Sequence, residues 1–297
     1  MITVMGATGH VGSQITHRLL AAGEPVRAVG RNPRALAELA AAGAQTFAGE
    51  ASDAAFLTRA FDGADAVHTL LPYSPASADF RAEQARLGEA IVTAVRESGV
   101  RRVVALSSLG ADLPDGTGFI AASLYPQEQR LRALEGVDLL LLRPTLFFES
   151  IVGAIDVVEA MGVNVDAVDP EVPVPMIATR DIAGVAAEAL LSRDWGGVEV
   201  RELLGPCDLT YAEATRILGA AIGRADLEYV WLPDAEMAGA LVQAGFSPVT
   251  AALHVEMGRA LSTGMITPHE GRNPRTTTPT RFEDVVSELL PVPPEAW

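Results

Sequence analysis

Three glycines spaced three residues apart, Gly6, Gly9 and Gly12, constrain the fold more than any other feature of the chain. The apolar run Ile2–Met5 precedes them, and an apolar stripe with a period of about four residues follows them. In this order of strand, glycine turn and helix, free amides at the helix start hold a pyrophosphate. The alternative is a structural turn with glycines by coincidence. The pattern favours a dinucleotide site, with these cofactor-binding residues: Gly6, Thr8, Gly9, His10, Val11 and Gly12.

Short apolar runs alternate with helical patterns as far as about residue 150. The runs are nearly continuous rather than alternating, as expected of parallel strands buried on both faces. Residues 1–150 therefore predict an α/β domain, a Rossmann-type doubly wound parallel sheet. The six predicted strands are Ile2–Met5, Val26–Val29, Gln45–Ala48, Ala66–Leu71, Val103–Leu106 and Leu139–Leu142.

The second half, residues 151–297, is less regular and predicts a smaller α+β substrate-binding region, with segments of 176–205 added to the first sheet. The stretch Val172–Ile177 is interrupted by prolines and predicts an edge strand or a connector. Capping boxes that start at Thr210 and at Thr280 predict two helix N-termini.

Composition excludes several classes of function. All 22 basic residues are arginine, so catalytic mechanisms that require a lysine are excluded. A net charge of −16 argues against nucleic-acid binding, which depends on neutralising phosphates. The single cysteine, Cys207, excludes an internal disulfide and a cysteine-based metal cluster, and no metal-ligand spacing is present. With neither a membrane-length apolar run nor a signal-peptide pattern, we expect a cytoplasmic protein that binds no membrane.

The residue after the second predicted strand distinguishes the two nicotinamide dinucleotides. Enzymes that use NAD place a carboxylate there for the ribose 2′-hydroxyl, whereas an arginine suits the 2′-phosphate of NADP. The chain has Arg31 followed by Asn32, which favours NADP(H) over NAD(H). After the third strand, Glu50 is expected to border the adenine, and Asp53 is either part of that border or a helix cap.

Taken together, these residues resemble the NmrA-like branch of the atypical short-chain dehydrogenases, and in particular its NADPH-dependent quinone oxidoreductases. The resemblance covers almost the whole chain, from the first glycine loop to a segment near residue 280. Later segments similar to family signatures are Arg143-Pro144 with Phe147-Phe148-Glu149-Ser150, Arg180-Asp181-Ile182-Ala183, Leu204-Gly205-Pro206, Leu209-Thr210-Tyr211-Ala212-Glu213 and Thr277-Thr278-Pro279-Thr280-Arg281-Phe282.

The resemblance implies that the cofactor lies across the carboxyl ends of the strands, in agreement with the general rule for open α/β sheets. Ser107 and Ser108 either bind the nicotinamide ribose or a substrate oxygen, or close their strand by local backbone bonds. Phe147 and Phe148 either wall the nicotinamide or belong to the core. The residues expected to meet the cofactor here are Leu71, Pro72, Ser107, Ser108, Pro144, Thr145 and Phe147.

Tyr125 is the candidate proton donor, with a packing residue at a helix start as the alternative. Gln129 stands where ordinary short-chain dehydrogenases carry the lysine that lowers the pKa of the tyrosine. An unassisted tyrosine is a poor base but a usable donor, which favours acceptors that take hydride readily, such as quinones. Among the histidines, His68 lies inside a predicted strand and is interpreted as a satisfied core residue.

Two functions follow from these patterns. The first is an NADPH-dependent oxidoreductase that delivers hydride to a small conjugated acceptor. Met237, Phe246, Met257 and Met265 are expected in its pocket, with a place in the core as the alternative. The second is a redox sensor that binds NADP(H) without turnover, which the missing lysine leaves open. An apolar helix face is compatible with a homodimer.

Overall fold

The computed structural model describes residues 1–290. In chain order the elements are β1 (Ile2–Met5), α1 (His10–Ala21), β2 (Val26–Gly30), α2 (Pro33–Ala41), β3 (Gln45–Ala48), α3 (Ala54–Phe61), β4 (Ala66–Thr69), α4 (Phe80–Ser98), β5 (Arg102–Leu106), a π-helical turn (Ile120–Leu124), α5 (Tyr125–Arg132), β6 (Asp138–Pro144), β7 (Leu146–Phe147), α6 (Phe148–Val152), α7 (Ile155–Met161), β8 (Asn164–Asp166), β9 (Val174–Ile177), α8 (Thr179–Ser192), β10 (Val198–Leu203), β11 (Asp208–Leu209), α9 (Tyr211–Ala221), β12 (Tyr229–Trp231), α10 (Asp234–Gln243), α11 (Pro248–Ser262) and α12 (Phe282–Leu289).

A seven-stranded parallel sheet runs through the molecule in the order β10-β6-β5-β4-β1-β2-β3. All six strands predicted from the first half are present, so the predicted Rossmann-type α/β fold is confirmed. The strand order reverses direction between β1 and β4. Ligands of open α/β sheets bind in the crevice beyond the carboxyl ends of strands at such a point.

Helices cover both faces of the sheet, which is why its strands read as continuous apolar runs. On one face α1 packs against α8, with Ile15, Leu19 and Ile182 completely buried between them and the sheet. On the other face α3 and α4 bury Leu57 and Ile91. The seventh strand, β10, comes from the second half of the chain and pairs with β6.

The small sheets formed by the second half differ from expectation. The stretch Val172–Ile177 was expected to be an edge strand or a connector, but within it β9 is the middle strand of a three-stranded sheet, β11-β9-β7. Each neighbour pairs with only two residues of β9, Val174 and Pro175 on one side and Met176 and Ile177 on the other. The prolines therefore interrupt no long ladder of hydrogen bonds.

One of the two predicted capping boxes is correct. Thr210 and Glu213 form it reciprocally at the start of α9. Thr280 does not cap α12, because Asp181 accepts both its amide hydrogen, at 3.0 Å, and its hydroxyl hydrogen, at 2.8 Å. The last helix consequently begins one residue later, with Asp284 accepting the Arg281 amide hydrogen at 3.1 Å.

His68 is buried as expected, but the interpretation as a satisfied core residue is wrong. Within residues 1–290, neither ring nitrogen has a well-formed hydrogen bond. Burial lowers the pKa of His68 to about 4, against a smaller opposing effect of the Met5 backbone. The imidazole is therefore neutral at physiological pH.

Candidate functional site

The glycine loop joins β1 to α1 and leaves no room for a side chain at Gly6 or Gly12. Gly6 adopts φ +63°, a left-handed conformation that favours glycine. A Cβ on Gly12 would stand 2.2 Å from the carbonyl oxygen of Gly6, so the start of the helix packs directly on the turn.

The first turn of α1 exposes backbone donors. Gly9 is its N-cap residue, and no side chain caps the helix. The amides of His10, Val11 and Gly12 have no acceptor within the helix, which is the arrangement that binds phosphate groups. Thr8, Gly9 and His10 are exposed, whereas Val11 and Gly12 are buried. The loop therefore fits the pyrophosphate of a dinucleotide.

An apolar cavity of about 280 Å³, which we call cavity A, opens at the carboxyl ends of β4, β5 and β6. Six of the residues expected to meet the cofactor line it. The buried Thr145 Oγ1 has no partner within residues 1–290, so it can bond a ligand there. The lining residues are Leu70, Leu71, Leu106, Ser107, Ser108, Leu109, Ile120, Leu124, Pro144, Thr145, Leu146, Phe147, Ser150, Pro175, Met257, Leu261 and Ile266.

The two serines of cavity A have different partners. The Ser107 hydroxyl donates to Glu128 Oε1 at 2.6 Å, and Ser108 donates to the neighbouring Leu109 carbonyl at 3.1 Å. Because Ser107 uses its hydrogen on Glu128, it offers the cavity only acceptor lone pairs. It is suited to a ligand that donates, such as a ribose hydroxyl or an amide, and not to a substrate carbonyl.

Glu128 is fixed in turn by Arg143. Arg143 Nε donates to Oε1 at 2.9 Å and Nη2 donates to Oε2 at 2.7 Å, with the Glu128 side chain 2% exposed and that of Arg143 7% exposed. Burial is the largest single effect and opposes the charge on Arg143. The hydrogen bond to Glu128 and the negative charges of Glu128, Asp112 and Glu202 together outweigh it and raise the pKa of Arg143. A third bond joins Arg143 Nη1 to Asp112 at 3.0 Å. The resulting network holds Ser107 in one orientation.

A smaller cavity of about 120 Å³, which we call cavity C, lies at the ends of β2 and β3. Arg31, Glu50 and Pro72 line it, together with Arg86 and Glu83 of α4. Asn32 does not line it; its side chain accepts the Arg34 amide hydrogen and caps α2.

Other predicted residues separate into lining and structural roles. Asp53 accepts the Phe56 amide hydrogen at 3.0 Å and caps α3, which confirms the helix-cap alternative. Phe147 lines cavity A, whereas Phe148 is completely buried with its ring centroid 5.2 Å from that of Phe282. At the start of α5, Leu124 lines cavity A but Tyr125 does not.

A larger cavity of about 400 Å³, cavity B, adjoins cavity A, since Leu146, Ser150 and Met257 line both. Sequence reasoning identified four pocket residues, Met237, Phe246, Met257 and Met265. Phe246 and Met257 line cavity B. Met237 and Met265 line neither cavity A nor cavity B, because Met237 is buried with Leu241 and Ala251 and Met265 is 49% exposed. Its full lining is Tyr73, Phe119, Leu146, Ser150, Ile151, Ala154, Asn164, Val165, Asp166, Val168, Tyr211, Phe246, His254, Met257 and Gly258.

Sequence reasoning missed one pair in cavity B. His254 Nε2 and Asp166 Oδ1 lie 2.9 Å apart, although 88 residues separate them in the chain. The one local signal is Gly258, one helical turn after His254. Because it has no side chain, α11 can approach Ala167, whose Cβ would be 3.0 Å from a Cβ on Gly258.

None of the helices within residues 1–290 combines the length and apolar character needed to cross a membrane. Over the same residues, no group of three or more histidine, cysteine, aspartate or glutamate side chains is placed to hold a metal ion.

Comparisons with known proteins agree with this geometry. The model of a family described as NAD(P)H-binding matches residues 6–193. A (4-alkanoyl-5-oxo-2,5-dihydrofuran-3-yl)methyl phosphate reductase of Streptomyces griseus is 34% identical over 75% of this chain and 74% of its own length. An NAD(P)H azoreductase of Xenophilus azovorans is 30% identical over the same shares of the two chains.

The crystal structure of an NADPH-dependent quinone oxidoreductase from Escherichia coli, complexed with NADPH, has the same fold. The TM-score is 0.79 at 24% identity, covering 97% of this chain and 99% of the other. The resemblance to NmrA-like reductases is thus confirmed. With its glycine loop, its strand-end cavity and a family match over most of the sheet, this chain belongs to the family of NAD(P)H-binding proteins.

Proposed function

We propose that this protein is an NADPH-dependent reductase that delivers hydride to a small conjugated acceptor such as a quinone. The observation that carries the proposal is cavity A, an apolar space at the strand ends next to the glycine loop. The lining residue Leu70 also touches the loop, because a Cβ on Gly6 would meet its side chain at 2.5 Å. A pyrophosphate on the loop therefore places the nicotinamide in cavity A.

The bound dinucleotide supplies the hydride, and the chain supplies binding and orientation. Ser107 would accept a hydrogen bond from the ribose or the carboxamide, and the Thr145 hydroxyl would offer a second polar contact. Phe147 and Leu146 would provide apolar contacts to the ring. The proposed substrate-binding region is residues 151–297, of which 291–297 lie outside the described residues, and it contributes Pro175, Met257, Leu261 and Ile266 to cavity A.

The preference for NADP(H) depends on Arg31. It lies directly after β2, where an NAD enzyme carries a carboxylate, and it lines cavity C with Arg86. Glu50, after β3, and Glu83, on α4, line the same cavity, but the residue directly after β2 is an arginine and not a carboxylate. A guanidinium at this position can form two parallel bonds to the 2′-phosphate.

The class of acceptor is supported by chemistry and by the relatives. The chain has no lysine to lower the pKa of a tyrosine. Acceptors that take hydride readily are therefore favoured, because they require the least acid catalysis from the protein. The names of the two relatives describe reduction of a dihydrofuranone phosphate and of azo compounds, and both are conjugated groups.

The test has two stages. Calorimetry of the purified chain with NADPH and with NADH should show uptake of both, with tighter binding of NADPH. Cofactor absorbance is then followed with a panel of quinones, enones and imines, and consumption above background is expected. Binding without consumption across the panel would instead support the sensor alternative, and no uptake of either nucleotide would overturn the proposal.

A further inference from the structure

Cavity B contains a histidine–aspartate pair that takes no part in the proposed cofactor site or in the glycine loop. It is walled by the aromatic side chains of Tyr73, Phe119, Phe246 and Tyr211, and the His254–Asp166 pair lies among them. The His254 ring makes edge-to-face contacts with Phe119 and Phe246, at centroid distances of 6.5 and 6.3 Å. Such a wall favours a flat aromatic ligand.

The pair is held in place from several directions. The first turn of α11 is tied to the segment before α4, since Ser247 N and the Thr250 hydroxyl both donate to the Pro75 carbonyl. Gly118, at φ +57°, lets α11 approach so closely that a Cβ there would lie 2.0 Å from the Leu253 carbonyl oxygen. This approach sets Phe119 beside His254.

The other partner is equally constrained. Asp166 ends β8 and also accepts the Ala167 amide hydrogen at 2.7 Å. The next two carbonyls accept hydrogen bonds from β12: Trp231 Nε1 donates to Ala167 at 3.1 Å, and the Tyr229 hydroxyl donates to Val168 at 2.7 Å. The carboxylate can therefore hold the imidazole in one orientation, as in the histidine–aspartate pairs of hydrolases.

One imidazole nitrogen stays available. His254 Nε2 is bonded to Asp166, and within residues 1–290 Nδ1 has no protein hydrogen-bond partner. Both side chains are 21% exposed, so the pair can exchange protons with solvent. The other titratable groups of the cavity are phenols. Burial raises the pKa of Tyr73 to about 12 and the pKa of Tyr211 well above its usual value, so both keep their protons near neutrality.

We propose that cavity B binds a flat aromatic acceptor of the quinone class and that His254, oriented by Asp166, donates the proton that completes its reduction. The inference rests on the proposed reductase function. The acceptor takes a hydride, two electrons and one hydrogen, from NADPH, which leaves as NADP⁺. The Nδ1–H bond of the imidazolium breaks as the acceptor oxygen gains that proton, and solvent then reprotonates the neutral imidazole. The shared wall at Leu146, Ser150 and Met257 is where the acceptor meets the nicotinamide.

The experiment compares the wild-type chain with His254→Gln and Asp166→Asn, using NADPH and a naphthoquinone. Glutamine keeps a polar side chain but supplies no acidic proton. We expect kcat to fall on the order of 100-fold in His254→Gln, within the range for loss of a general acid, with NADPH affinity unchanged. Asp166→Asn should also lower kcat, because Asp166 orients His254. The solvent deuterium isotope effect on kcat should be larger in His254→Gln than in the wild type, because proton transfer from water then limits turnover, and a merely structural role would not produce this increase.

The control is His17→Gln. His17 is exposed on α1 and lines neither cavity A nor cavity B, so the turnover of this variant should equal that of the wild type. Calorimetric NADPH binding reports whether each variant is folded. If His254→Gln does not fold, His254→Asn replaces it.

The outcomes separate the two proposals. A wild-type chain that binds NADPH without consuming it with any acceptor overturns the reductase function. A wild-type chain that turns over the quinone while folded His254→Gln matches it overturns only the role of His254. Loss of turnover in Tyr125→Phe but not in His254→Gln would assign the proton to Tyr125, the donor expected from the sequence.

Discussion

Arg143 and Glu128 form a bidentate ion pair that joins β6 to α5 inside the protein, with bonds of 2.9 and 2.7 Å. The same carboxylate accepts the hydrogen of Ser107 in cavity A. The conformation of a cofactor-site residue therefore depends on a buried charge pair. This relationship leads to the first of four predictions.

Removing one partner of the pair should be more costly than removing both. Arg143→Met leaves the buried Glu128 carboxylate with only one counterion, the partly exposed Arg132 at 3.3 Å, and we expect a loss of about 3 kcal/mol in the free energy of unfolding. The double variant Arg143→Met/Glu128→Leu should lose less than the sum of the two single variants, because it removes the buried carboxylate and the buried guanidinium together. Urea denaturation measures all three.

The exposed pair Arg130–Glu89 provides the control for that cycle. Glu89→Gln should cost less than about 1 kcal/mol, since surface ion pairs contribute little. If the losses in the free energy of unfolding from the Arg143 and Glu128 single variants simply add in the double variant, the two side chains do not stabilise each other as a buried pair.

The glycine loop should not tolerate a methyl group at Gly12. Gly12→Ala places a Cβ 2.2 Å from the Gly6 carbonyl oxygen, so the loop must move and its amides lose their alignment. We expect NADPH affinity to fall at least tenfold, about 1.4 kcal/mol, by calorimetry. Gly239→Ala on α10 is the matched control, because a Cβ there meets nothing within 4 Å. It should leave binding unchanged and stabilise the helix by about 0.8–1 kcal/mol. Equal effects of the two variants on binding would show that the loop does not hold the cofactor.

Arg31→Ser should weaken NADPH binding while NADH binding stays the same. The lost bonds to a charged phosphate correspond to about 1.5–3 kcal/mol, or roughly 10- to 100-fold in Kd. Arg34→Ser is the control, since Arg34 is exposed in the first turn of α2 but does not line cavity C. An equal loss of affinity for NADPH and NADH in Arg31→Ser would show that Arg31 does not act by binding the 2′-phosphate.

His68 makes stability depend on pH. Its pKa is about 4 in the folded protein and about 6.5 when unfolded, so between these values the unfolded chain binds a proton that the folded chain does not. Stability should therefore fall as the pH is lowered from about 6.5 to about 4, by an amount on the order of 3 kcal/mol in total. His68→Leu removes this contribution and also two unsatisfied nitrogens, so the variant should be at least as stable as the wild type at pH 7 and clearly more stable at pH 5.

Urea denaturation at the two pH values checks the His68 prediction. His17→Gln, at an exposed position of α1, should show the wild-type loss on acidification. An identical loss in His68→Leu would show that other groups cause it.

The first half of the fold could be predicted because its signals are local. A strand covered by helices on both faces must be apolar at every position, and Ile2–Met5 and Leu139–Leu142 display this without any knowledge of their neighbours. The short-range patterns of the second half were less decisive. Thr280 has the sequence of a helix cap, but its hydrogen bonds go to Asp181, 99 residues away.

The sequence by itself determined the open parallel sheet. It also predicted the phosphate-binding loop and Arg31 as the contact to the 2′-phosphate. Each of these depends on the backbone and on residues only a few positions apart. Tertiary structure alone decided that Ser107 turns its hydrogen toward Glu128, that a proline-containing strand lies between two others, and that His254 meets Asp166. The physical reason is that these contacts join segments whose approach is set by the packing of whole helices and sheets, and periodicity along the chain carries no information about that approach.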